Sequence, residues 1–278
     1  MSRSALRRAA VVVGASTVAA VAALTAHPWT PPATHRWTVD APEPLPAVVL
    51  DDVRTTALVV DRASEPAASR LLTPATPARP ATAGHAAQDW VTSMASATGI
   101  PVRAVRAYAD AALALAAEQP TCRLGWTTLA AVGAVESGHG THEGSSVRPD
   151  GRVFPPIIGP ALDGVGFAAV RATAASTALH GDPLWEHAVG PMQFIAPTWQ
   201  RWGSDGDGDG VADPQDLDDA ALAAGRYLCA GGGDLSRGTD WQAAVLSYNH
   251  SDAYVSQVLA LADGYAAASR RAGDGPNG

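Results

Sequence analysis

Trp126-Thr127-Thr128-Leu129-Ala130-Ala131-Val132-Gly133-Ala134-Val135-Glu136, followed at once by Ser137-Gly138-His139-Gly140, is the stretch that decides the fold. It holds no charge before Glu136 and runs into two glycines, so it reads as a helix over 126–136 with a glycine stop. Leu129, Val132, Gly133 and Glu136 recur at helical spacing, which puts Glu136 on the extension of an apolar face with room beside it at Gly133. A carboxyl group so placed is desolvated. Desolvation disfavours the anion and raises the pKa, as a general acid working near neutral pH requires.

Further helices flank this one. Pro101 sits at a helix N1 position, and Val102, Val105, Leu113 and Leu115 among many alanines carry a helical pattern to Glu118, stopped by Pro120. Residues 197–202, 217–230, 241–248 and 251–268 read as helices too, whereas the Pro- and Gly-rich stretch after Gly140 reads as a long loop. Strand signals are nearly absent and no repeat is visible, so the fold class is mostly α, with the folded unit over 89–271 and a fraying tail over 272–278.

The chain has 278 residues, of which 47% are apolar, enough for a sizeable core. Its N-terminus carries an address: Arg3, Arg7 and Arg8 precede an uncharged, mostly apolar run over 9–26. This predicts a secretory signal peptide over 1–27 or an uncleaved signal anchor spanning the membrane through 9–26. Residues 28–88, rich in Pro, Ala and Thr, read as a linker, with Ala47-Val48-Val49-Leu50 and Leu58-Val59-Val60 as isolated apolar patches able to pair as strands. Export to the cell wall, the periplasmic space or the outer face of the cytoplasmic membrane follows, or secretion outright. Cys122 and Cys229 are the only cysteines. In an exported chain such a pair is expected bridged, with two buried thiols as the alternative. A bridge over so long a loop stabilises by about 4–5 kcal/mol in the chain-entropy model.

The net charge of −8 lacks the basic footprint of a nucleic-acid binder. The acidity is local: Asp205, Asp207, Asp209, Asp213, Asp216, Asp218 and Asp219 crowd one stretch, and without them the net charge is about −1. Asp205-x-Asp207-x-Asp209-Gly210 places carboxylates at positions 1, 3 and 5 of an EF-hand-type loop. Val211 offers its carbonyl at 7, Asp213 stands at 9 and Asp216 at 12. Calcium is the implied ion. Asp216 stands where the EF-hand has Glu, a shorter arm that binds through one oxygen or demands a tighter loop. The alternative is a solvated Asp/Gly loop without an ion.

Three segments complete the pattern: Ala134-Val135-Glu136-Ser137-Gly138-His139-Gly140, then Gly190-Pro191-Met192-Gln193-Phe194-Ile195-Ala196-Pro197-Thr198-Trp199, then Ser247-Tyr248-Asn249-His250-Ser251. In this order they closely resemble the motifs of the lytic murein transglycosylases. The Asp-Gly run and the helix ending in Tyr227-Leu228-Cys229 resemble the calcium-loop, membrane-bound transglycosylase B-like branch. The resemblance implies a lysozyme-like helical domain that acts as a monomer on peptidoglycan glycan strands without an organic cofactor. It makes Glu136 the acid/base, which protonates the oxygen between N-acetylmuramic acid and N-acetylglucosamine and then accepts the C6 hydroxyl proton as a 1,6-anhydro ring closes. Ser137, Met192, Gln193, Tyr248 and Asn249 become sugar contacts, with Met192 and Phe194 equally readable as core.

Other constellations are weaker. His139, His142 and Glu143 lack the His spacing of a zinc helix and read as loop decoration. Ser137 beside His139 has no triad geometry. Glu143, Asp163 and Glu186 stand as conceivable second carboxylates for ordinary hydrolysis by a muramidase. A glycan-binding domain without catalysis is the remaining alternative, and it would be signalled by loss of Glu136.

Overall fold

The structure, a computed structural model, describes residues 48–49, 84–165 and 169–273. Its described part is mostly helical: α1 Gln88–Thr98, α2 Val102–Glu118, α3 Trp126–Ser137, α4 Ala174–His180, α5 Ala196–Trp202, α6 Leu217–Cys229, α7 Gly238–Tyr248 and α8 Asp252–Gly273. Six short strands pair as three antiparallel ladders. These are β1 Val48–Val49 with β2 His85–Ala86, β3 Ser146–Val147 with β4 Val153–Phe154, and β5 Ile158–Ala161 with β6 His187–Val189. No helix among the described residues is long and apolar enough to cross a membrane. The expected signal or anchor over 1–27 and the Leu58-Val59-Val60 patch lie outside the described residues.

α3 is the centre. Every residue from Trp126 to Gly133 is buried, so this helix is wrapped on all sides and not on one face, as its uniformly apolar text requires. α2 and α8 pack on it, α6 packs on α2, and α1 packs on α8. Cys122 and Cys229 are bridged, with Cα atoms 5.6 Å apart, which ties the α2–α3 connection to the end of α6. Pro101 stands one residue earlier than expected, at the N-cap of α2, where φ −54° and ψ 135° keep it extended and let Val102 begin the helix.

The structure differs from the sequence reading at further places, and α1 is a helix that the reading did not name. The stretch after Gly140 is not a plain loop: it carries β3 to β6 and α4, elements of two to seven residues that are too short to show a period. The folded unit starts before residue 89, because His85 and the backbone N–H of Ala86 both bond the Asp110 carboxylate of α2, at 2.9 and 2.7 Å. β1 and β2 thus place strand pairing inside the expected linker. At the other end α8 continues through Ala272 and Gly273, expected to fray, with Arg270 and Arg271 in the last turn where cations favour the helix dipole.

Candidate active site

α3 leaves the core at its C-terminal turn, and Glu136 stands there, half-buried. Gly138 takes the left-handed conformation at φ 59°, donates to Ala134 O at 3.0 Å, and His139 N–H closes on Gly133 O at 2.9 Å. This paired closure stops the helix one residue past Glu136. One turn below, a methyl group at Gly133 would overlap the Tyr108 hydroxyl and come within 3.2 Å of Met192 Sδ, so only glycine lets those side chains close beneath the acid. Burial pushes the Glu136 carboxyl up to about 7. The Tyr254 hydroxyl donates to Glu136 Oε1 at 2.6 Å and pulls the other way, favouring the anion, but burial dominates. No second carboxylate contributes to the shift.

The two other motif segments are stitched to this helix end through peptide groups. Ser137 Oγ donates to Pro191 O at 2.7 Å and accepts the Gly140 N–H at 2.8 Å. Tyr248, at the end of α7, donates its hydroxyl to Met192 O at 2.7 Å. Between these anchors Val189 and Phe194 exchange backbone bonds at 2.9 and 3.0 Å, and Gln193 takes φ 51°. The Gln193 side chain donates to Gly190 O at 3.0 Å, and its Oε1 occupies the space that a Cβ at Gly159 would need. Tyr248 lies edge-on to Phe194 and Tyr227, with centroids 6.0 and 5.4 Å away. Burial raises the Tyr248 and Tyr254 hydroxyls, and the Glu136 charge adds to both, so both tyrosines face the acid.

Ser137 takes a role other than the expected sugar contact, and Met192 and Phe194 take the core alternative. Ser137 and Met192 are buried, at 3% and 0% exposure, so Ser137 works as a stitch and Met192 as a support whose carbonyl holds Tyr248. Phe194 is core. Gln193 is partly exposed and Asn249 exposed, and Asn249 accepts the Ser251 N–H at 2.8 Å where the chain turns into α8. Sequence reasoning missed Tyr254, which reaches Glu136 from the first turn of α8 just past the third motif. It also misplaced His139. That ring is buried at 9% exposure, not loop decoration, with Nδ1 3.2 Å from the Tyr108 hydroxyl and Nε2 3.2 Å from the Tyr265 hydroxyl. Burial lowers it to about 4, so it is neutral at pH 7.

The rival carboxylates are drawn elsewhere. Glu186 is sealed at 0% exposure, accepting from the Ser176 hydroxyl and from Ala196 N–H at 3.3 Å, with His180 Nε2 3.4 Å away. It pins the start of α5 and is closed off from solvent. Glu143 is exposed beside His142 at 3.7 Å, and Asp163 accepts the Val165 N–H at 2.8 Å.

In the acidic loop, Asp205, Asp207 and Asp209 each bring an oxygen within 4.8 Å of the others. Asp213 and Asp216 do not join them. Asp213 Oδ1 accepts the Gln215 N–H at 2.9 Å, and Asp216 is the N-cap of α6, accepting Asp218 N–H at 2.9 Å. Val211 is exposed. The carboxylate that spans the loop is Asp219, which accepts Gly206 N–H at 2.5 Å and Asp213 N–H at 2.8 Å. Burial, with the Asp216 and Asp207 charges behind it, raises Asp219 well above the carboxylate range. Asp218 is taken by Arg103 in a two-pronged ion pair. The twelve-residue spacing hides Asp219 because it lies one helical turn past the expected position.

No family model, curated protein or solved structure matches the chain, which leaves the geometry around Glu136 to carry the functional conclusion. That geometry makes a signed prediction. The Tyr254 hydroxyl stabilises the carboxylate, so Tyr254→Phe leaves burial unopposed and should move the Glu136 pKa above its value of about 7. A carboxyl-carbon NMR titration reads the shift directly. An unchanged or lowered pKa would show that the hydroxyl does not act on Glu136 as described.

Proposed function

We propose that the chain is an exported lytic murein transglycosylase, cleaving the β-1,4 bond between N-acetylmuramic acid and N-acetylglucosamine in peptidoglycan. The observation that carries this reading is a single desolvated carboxyl, Glu136, raised to about 7 where three motif segments meet. Protonated Glu136 gives its proton to the glycosidic oxygen as the C1–O bond breaks and the N-acetylglucosaminyl alcohol leaves. The carboxylate formed then removes the proton of the muramyl C6 hydroxyl, whose oxygen closes on C1. The acid is regenerated and no water is consumed. The substrate's own N-acetyl group supports the cationic centre in such a scheme. A lone acid suits this reaction better than hydrolysis, which ordinarily needs a second carboxylate to activate water or attack C1.

Tyr254 holds Glu136 in position and Tyr248 feels its charge, and in this reading the partly exposed Gln193 and the exposed Asn249 are the sugar contacts. The Cys122–Cys229 bridge suits an oxidising compartment outside the cytoplasm, where the polymer lies. The Asp205, Asp207 and Asp209 oxygens fit a hard cation that takes oxygen ligands, and calcium is the proposed ion. Bound there, it would neutralise the loop's charge and order the entry to α6. Arg152, 3.5 Å from Asp209 and 3.9 Å from Asp213, offers the loop a cation of its own chain.

Glu136→Gln should fold normally yet release muropeptides about 10²–10⁴-fold more slowly, because an amide cannot deliver a proton. The unaltered protein should lose activity as pH rises through about 7, since Glu136 enters the cycle protonated. Near-normal release by the variant would contradict the proposal.

Calcium at 100 times its dissociation constant should stabilise the fold by about 2.7 kcal/mol if it binds only the folded state. Thermal melts with chelator and with millimolar calcium should therefore separate, and Asp205→Ala/Asp207→Ala should abolish the separation. Coincident curves for the unaltered chain would mean that the loop is only a solvated acidic turn.

A further inference from the structure

His139 stands in the left-handed region at φ 62°, between Gly138 at 59° and Gly140 at 81°. Glycine adopts that conformation freely, whereas a residue with a Cβ is strained in it. The backbone gains nothing from the strain, because a glycine would supply the same N–H that closes α3 on Gly133 O. What glycine lacks is the ring, and the ring is buried.

The hydrogen bonds of that ring have a fixed direction. Tyr108 is fully buried with its hydroxyl beneath Gly133, and among the described residues the one hydrogen-bond partner of that hydroxyl is His139 Nδ1 at 3.2 Å. A buried O–H needs an acceptor, so Nδ1 offers its lone pair and the single proton of the neutral ring sits on Nε2. Nε2–H therefore donates to the Tyr265 hydroxyl oxygen at 3.2 Å. Tyr265 is half-buried, with solvent in reach of its own proton.

Tyr265 and Tyr254 are both on α8, eleven positions apart. That is about three turns, so the two rings share one face with the buried Val258 and Ala262 between them. Around Tyr265 the helix is mostly small: Ala260, Ala262, Gly264, Ala266 and Ala267. Methyl contacts are non-directional and leave such a helix free to slide or turn a little, whereas a hydrogen bond to a fixed ring does not. Tyr254 uses the same face to donate to Glu136 Oε1 at 2.6 Å. The α3 stop thus meets α8 twice, at Glu136 through Tyr254 and at His139 through Tyr265.

We infer that His139 is a positioning residue for Glu136: its ring pins Tyr265 and, through the face of α8 that the two tyrosines share, keeps the Tyr254 hydroxyl on the acid. That Glu136 does acid chemistry rests on the proposed cleavage of peptidoglycan, but the pinning is measured without substrate.

The test is a carboxyl-carbon NMR titration of Glu136 in the full chain and in His139→Gly, which relaxes the backbone and removes the ring, and Tyr265→Phe, which removes only the acceptor. In both variants the Glu136 pKa should rise above about 7, because Tyr254 is released and burial goes unopposed. The rise should be no larger than that of Tyr254→Phe, and His139→Gly/Tyr254→Phe should add nothing to Tyr254→Phe alone. A loosened fold without the pinning would instead admit water and bring the pKa down toward the ordinary carboxylate range. An unchanged or lowered Glu136 pKa, or additive shifts in the double variant, would overturn the inference. Should His139→Gly fail to fold, Tyr265→Phe decides by the same criteria. Nitrogen-15 NMR of labelled histidine should show His139 with a bare Nδ1 and a protonated Nε2, and the opposite tautomer would overturn the donation to Tyr265. A protein that responds in this way yet cleaves no glycan would strike the catalytic proposal alone, and an active protein that does not respond would strike the pinning alone.

Discussion

The site depends on the removal of water from one carboxyl at the point where a fully buried helix surfaces. α3 can sit at the centre because none of its residues before Glu136 is charged, and it can stop where it does because Gly138 accepts the left-handed turn. Glu136 is therefore the first ionisable group that the helix presents, and it meets a surrounding of Tyr254 and Tyr248 before it meets bulk solvent. Burial and a single hydrogen bond oppose each other there, and burial prevails.

Around that helix end the protein uses main-chain groups as its fixed points. Ser137 reaches Pro191 O, Tyr248 reaches Met192 O, and Glu186 reaches the Ala196 N–H, so the Gly190–Trp199 segment is held from three elements at once. Behind it, the buried chain from Tyr108 through His139 to Tyr265 links α2, the α3 stop and α8. Its neutral imidazole adds no charge beneath the acid. Such fully bonded buried groups fix geometry, because losing one partner leaves the other unsatisfied.

Much of this was legible in the sequence. The apolar text of α3, the glycine stop and the periodic patterns of α2, α6, α7 and most of α8 carry enough residues to declare a helix. Glu136 was legible because its spacing from Leu129, Val132 and Gly133 predicts burial. The partners of Glu136 were not, since Tyr254 lies 118 positions away and no local rule brings it back. Ser137 was read as a sugar contact, and Met192 as contact or core alike, because their motif positions say nothing of depth. Asp219 escaped because loop spacing counts residues, whereas the helix that begins at Leu217 turns Asp219 back toward Gly206. The ladders from Ser146 to Val189 escaped because strands this short have no period to read.

The fate of water decides the proposed chemistry most directly. Peptidoglycan digested by the full chain in ¹⁸O-labelled water, with the products weighed by mass spectrometry, separates the two ways of using Glu136. Closure by the C6 hydroxyl gives unlabelled 1,6-anhydromuramyl ends. Reducing ends carrying the label would contradict it and show that water, not the C6 hydroxyl, closes the reaction.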